Sequence, residues 1–63
     1  MKKIELTDIF GNKRQCFVSN INERNIYDLK LAGFDFICTW WCGAWQVCEY
    51  ERPGGQTIAI ASL

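Results

Sequence analysis

The stretch ICTWWCGAWQVCEY, residues 37–50, carries three of the four cysteines and all three tryptophans of a 63-residue chain. Gly43-Ala44 reads as a two-residue turn of the type that takes Gly first, which makes the stretch a β-hairpin. A turn centred there pairs Trp41 with Gln46, Thr39 with Cys48 and Ile37 with Tyr50. Downstream, RPGG makes a second turn, and residues 36–63 become a three-stranded meander. A four-residue second loop pairs Glu51 with Gln56 and Val47 with Ile60.

Strand alternation sorts these side chains onto two faces. One face holds Phe36, Cys38, Trp40, Cys42, Trp45, Val47, Ile58 and Ile60, and it is expected to lie under a helix. The other holds Ile37, Thr39, Trp41, Gln46, Cys48, Tyr50, Thr57, Ala59 and Ala61. That second face is flat because its residues are small, and Trp41 and Tyr50 stand on it as large aromatics.

The helix is NINERNIYDLKLAGF, residues 20–34. Asn20 with Glu23 three residues on resembles a capping box, Asn22 is a competing cap, and Gly33 suits the left-handed stop with Phe34 folding back on Leu29. At 100° per residue Ile26, Leu29 and Ala32 form the core stripe, with Tyr27 and Leu31 nearly opposite. Residues 3–19 read as two strands joined by FGNK, Phe10 pairing with Lys13. That register puts Ile4, Leu6 and Phe17 on one face and Glu5, Thr7, Ile9, Arg14, Cys16 and Val18 on the other. The whole is a single α+β domain over residues 1–63, ordered β-β-α-β-β-β, with the helix on one face of an antiparallel sheet.

A chain of this length buries only about 60% of the surface its unfolded form exposes, so its core is marginal and calls for a disulfide, a metal or self-association. Acidic Glu5 and Asp8 stand where a secretory signal needs its apolar region, and no apolar run approaches the roughly 18 residues of a membrane span. Both place the chain in a reducing cytoplasm, where cysteines are thiols or metal ligands rather than disulfides. Seven basic and seven acidic residues cancel, which argues against a protein that grips a phosphate backbone.

Trp41-Cys42-Gly43-Ala44-Trp45 looks like the Trp-Cys-Gly-Pro-Cys site of thioredoxin-like oxidoreductases, but Trp45 occupies the place of the second cysteine and the proline is missing. Zinc needs four converging ligands. Here the cysteines stand at 16, 38, 42 and 48 with no histidine, and Cys38 and Cys42 on one strand lie roughly 13 Å apart. Without histidine there is no Ser-His or Cys-His pair for nucleophilic catalysis. Glu49 and Glu51, two apart, read as a solvated rim. RPGG has no lysine or helix after it and is no phosphate loop. The expectation is therefore no catalytic residue, no metal, no cofactor and free thiols acting as small hydrophobes, with a disulfide from Cys16 to one of the other cysteines left as the alternative.

What is left is surface. Trp and Tyr are common anchors of protein contacts, and Trp41, Tyr50, Ile37, Gln46, Glu49, Glu51 and Tyr27 make up the expected partner-binding set. An acidic rim beside aromatics favours a protein partner of unknown identity. A homodimer through the flat face is a further expectation. The size, the lack of catalytic equipment and the sticky face resemble, in general type and through no particular motif, the small inhibitors encoded by phages and mobile elements. The alternative is a binder of single-stranded nucleic acid that stacks bases on Trp41 and Tyr50 and uses Lys13 and Arg14 for phosphates.

Overall fold

The computed structural model describes residues 2–19 and 23–63. Among these described residues, five strands and one helix follow one another as β1 (Lys3–Thr7), β2 (Lys13–Val18), α1 (Glu23–Leu31), β3 (Asp35–Cys42), β4 (Trp45–Arg52) and β5 (Gln56–Ser62). They form one mixed sheet in the order β1-β2-β5-β4-β3, and the domain is of the α+β class. The sheet is not wholly antiparallel. β2 runs parallel to β5 through Phe17 opposite Ile60 and Val18 opposite Ala61, because α1 and the β3–β4 hairpin return the chain beside β2 in its own direction.

The central hairpin forms around Gly43, whose φ of +59° with no positive φ at Ala44 is the conformation a Gly-first turn requires. Trp41 pairs with Gln46 and Thr39 with Cys48, as the turn chemistry dictates. A bulge between Phe36 and Cys38 then breaks the register, so that Phe36 rather than Ile37 faces Tyr50. The two rings meet edge to face with centroids 5.8 Å apart.

The β4–β5 register differs from the sequence expectation by one residue. The loop is Pro53-Gly54-Gly55, closed by Gly55 N–H donating to the Arg52 carbonyl at 3.2 Å, and Arg52 pairs with Gln56. Two successive glycines at φ +104° and +83° let the chain turn in three residues instead of four. A slip of one reverses faces. Ile58 and Ile60 therefore join Tyr50 and Cys48, while Ala59 and Ala61 join Val47 and Trp40.

The core accordingly has two halves. On one face Phe34, Cys48, Tyr50 and Ile60 are buried, with Leu29 of α1 and Ile58 packed on them. This is the face expected to be open, so the helix covers the side opposite to the one predicted. Of the Ile26, Leu29 and Ala32 stripe only Leu29 is partly buried against the cluster, and α1 sits lightly. Its C-terminus is held as expected: Gly33 N–H donates to Lys30 and Phe34 N–H to Leu29, both at 2.9 Å, a Schellman pair. The caps expected at Asn20 and Asn22 lie outside the described residues.

On the other face Cys16, Val47 and Ala61 are fully buried beside Trp40 and Ala59, with Ile4, Leu6 and Trp45 packed on them. No described helix lies there. The cover is the β1–β2 hairpin, which pairs with β5 at only two positions and beyond them folds over the sheet. Its register is Ile4 opposite Cys16 and Leu6 opposite Arg14, three residues away from the one expected. Residues 8–12 form a longer loop in which one Asp8 carboxylate oxygen accepts from the N–H of Phe10 and of Asn12, at 2.9 Å each. That side chain mimics a backbone turn and moves the pairing point away from Phe10–Lys13.

Candidate functional site

Beside α1 on the helix face runs an open groove of about 320 Å³, lined by Ile26, Phe36, Thr39, Gln46, Cys48 and Tyr50. Each lining residue has a local reason to be there. Thr39 is opposite Cys48 and Gln46 opposite Trp41 in the hairpin ladder, the bulge puts Phe36 on the face of Tyr50 with its ring still exposed, and the light seating of α1 leaves Ile26 over the gap. The surface is apolar apart from one amide, two hydroxyls and a thiol. Thr39 Oγ1 donates to the Val47 carbonyl at 3.0 Å and lies 3.6 Å from Cys48 Sγ, so its polarity is already satisfied within the sheet.

Along the sheet border next to the groove, β3 presents Trp41 at 60% exposure, Phe36 at 59% and Ile37 at 45%. Tyr27 and Leu31 of α1 are also exposed. The expected partner-binding set is thus divided. Trp41, Ile37, Gln46, Glu51 and Tyr27 are accessible. Tyr50 is not: it is 5% exposed beneath Ile58 and Leu29, because α1 came down on its face. Burial, with the neighbouring Cys48, pushes its hydroxyl above the ordinary phenol value.

Glu49 is likewise buried rather than on a rim. One of its oxygens accepts from Trp40 Nε1 at 3.2 Å and from the Cys38 thiol at 3.1 Å. The other accepts from Arg14 Nη2, whose guanidinium also reaches Asp8 at 3.5 Å. A salt-bridged chain Asp8–Arg14–Glu49 therefore ties the folded-over hairpin to β4. For Asp8, burial works to raise the carboxyl, but the Asn12 and Phe10 N–H groups and Arg14 outweigh it and hold it below its ordinary value. Above this chain the loop tip exposes Ile9 and Phe10, which with Trp40 line a smaller cleft of about 240 Å³.

The basic pair of the nucleic-acid alternative is separated. Arg14 is half-buried between two carboxylates, and Lys13 is exposed, 3.9 Å from Glu5. All four cysteines are free thiols. Cys16 is fully buried, and that burial raises its thiol above the ordinary value, the unreactive end of cysteine chemistry. Among the described residues no three of the Cys, Asp and Glu side chains converge as metal ligands would, and no helix is long and apolar enough to cross a membrane.

Sequence reading missed Phe36 and Ile26 as surface residues. Ile26 fits the buried stripe of its helix, and Phe36 changes role only because of the bulge, which leaves no mark in the alternation. Comparison with protein-family models, curated proteins and solved structures found no match to this chain.

Proposed function

We propose that this chain is a small non-enzymatic protein-binding module that docks through the apolar border formed by Trp41, Phe36 and Ile37 and the groove beside them. The observation that supports it is the concentration of large exposed apolar side chains along one strand, next to a groove with almost no free polar groups. Monomeric soluble proteins rarely leave such surface contiguous, and aromatic residues there act as anchors of protein contacts. The engagement of Arg14 by Asp8 and Glu49 removes one of the two cations a nucleic-acid reading relies on. As an inhibitor of the phage or mobile-element type, the module would act by occupying a surface of a host enzyme, with no chemistry of its own.

The test is capture. The chain immobilised and exposed to a cell lysate is expected to retain a specific protein, and the Phe36→Ser/Trp41→Ser form to lose it while keeping the wild-type circular dichroism. Retention by both forms alike would sink the reading.

A further inference from the structure

β3 and β1 are the two edges of the sheet, and they are guarded unequally. β1 is five residues long and carries Lys3 and Glu5, charges of the kind that blunt an edge. β3 is eight residues long, has no lysine or proline, and its one charge, Asp35, stands at its first position; its bulge between Phe36 and Cys38 blunts the first half of the strand and leaves Cys38–Cys42 as the regular, unguarded stretch of that edge. In an antiparallel ladder that starts at a two-residue turn, the Cys42–Trp45 pair is the hydrogen-bonded kind and the pairs alternate from there. Thr39 and Trp41 therefore direct their N–H and C=O groups away from β4, toward the open edge.

We propose that β3 pairs with the β3 of a second copy of this chain, antiparallel and centred on Thr39, joining two sheets into one. This rests on the docking reading above and gives the same border a second occupant, a copy of this chain, that a foreign protein would have to displace. Centring on Thr39 sets Thr39 opposite its own copy and uses the outward groups of both strands, which is the condition for a two-fold, self-complementary contact. It sets Trp41 of each copy opposite Ile37 of the other, beside the exposed Phe36 ring, so that large apolar side chains meet at both ends of the joint. No like charges meet, since the two Asp35 carboxylates fall at opposite ends of the paired strands. A net charge of zero removes long-range repulsion between copies.

The area is sufficient for a weak specific interface. At 150–250 Å² per aromatic side chain, the exposed parts of Trp41 and Phe36 come to roughly 200 Å² or more per copy. Full burial of these rings, of Ile37 and of the strand edges in both copies is what would bring the total to about 1,000 Å², the lower bound for a specific contact, which makes the expected interface a weak one. A foreign strand could use the same backbone groups but would not bring the matching bulge.

Sedimentation equilibrium on the full chain from about 10 to 200 μM, the range suited to an interface of that size, reads the proposal directly. The wild type is expected to approach twice its 7.3 kDa mass. Thr39→Pro, which removes an outward-facing backbone donor and keeps the backbone ladder to β4 while losing the Thr39 hydroxyl bond to the Val47 carbonyl, and Trp41→Lys, which places a charge at the joint, are each expected to stay at 7.3 kDa. Circular dichroism checks both folds, and Trp41→Lys alone suffices should the proline form unfold, because Trp41 is surface. A wild type at monomer mass throughout the range, or a doubled mass kept by Trp41→Lys, overturns the pairing. A monomeric wild type that still captures a lysate protein defeats self-pairing and leaves the docking surface standing. A dimer that captures nothing defeats docking of a foreign protein and leaves self-pairing standing.

Discussion

The Arg14–Glu49 contact is the place where a single charge change should do most to the fold. Glu49 is 9% exposed and accepts from Arg14, Trp40 and Cys38, so removing Arg14 leaves a buried carboxylate with only two neutral donors. Breaking a buried ion pair from one side costs about 3–5 kcal/mol. The Arg14 side chain is itself 35% exposed, so solvent screens part of the attraction and about 2–4 kcal/mol is the expected loss for Arg14→Ala. The net stability of a 63-residue domain is only about 3–9 kcal/mol. Glu49→Gln should cost less, about 1–2 kcal/mol, since the amide carbonyl still accepts from Trp40 and the released guanidinium keeps Asp8 and water. Replacing both residues by Met removes the charge and its penalty together, so the double variant should be more stable than Arg14→Ala alone. Urea unfolding followed by the summed emission of Trp40, Trp41 and Trp45 gives the free energy of each of the four forms. If Arg14→Ala costs under about 0.5 kcal/mol, the value of an ordinary surface change, the hairpin is not tied to β4 through this chain and the account of the Trp40 face is wrong.

Other consequences follow from burial, turn geometry and titration. Tyr50→Ser should cost about 2–4 kcal/mol in the same unfolding assay and Trp41→Ser under about 0.5, because one ring is core and the other is surface. Equal losses would mean that α1 does not cover the Tyr50 face. Gly43→Val should lower stability by roughly 1–3 kcal/mol, since a β-branched residue resists a positive φ; an unchanged thermal midpoint would show the turn lies elsewhere. Asp8 has a lowered pKa in the fold, so its contribution is complete above its unfolded value of about 3.9 and is lost as pH falls through the lower folded value. Thermal midpoints should therefore drop below about pH 4, and Asp8→Asn, which keeps the turn acceptor, should flatten that limb. Tyr50 has a raised pKa, so its contribution holds below its unfolded value of about 10 and is lost as pH rises through the higher folded value. A Tyr50→Phe form with an unaltered alkaline limb would contradict this.

Local chemistry made several features legible from residues alone. Gly43-Ala44 sets its turn because of what glycine can do at positive φ, and the pairs Trp41–Gln46 and Thr39–Cys48 follow from it. Gly33 stops α1 for the same kind of reason, with Phe34 returning to Leu29. The mixed, mostly antiparallel sheet with one helix belongs to the α+β class that strand and helix periodicity indicate. What needed tertiary structure was every choice between near-equal alternatives. Both sheet faces carry apolar side chains, so alternation could not say which one α1 covers, and the three-residue loop at Pro53-Gly54-Gly55 settled the matter by a slip of one. The bulge at Ile37 and the Asp8-closed loop shift register by contacts that no periodicity encodes. Glu49 is buried for a reason 35 residues away in the chain, where Arg14 supplies the charge that makes its burial tolerable. Short-range steric and hydrogen-bonding rules act within a few residues and are written there; the faces, the ion pair and the open edge of β3 depend on which distant segments meet.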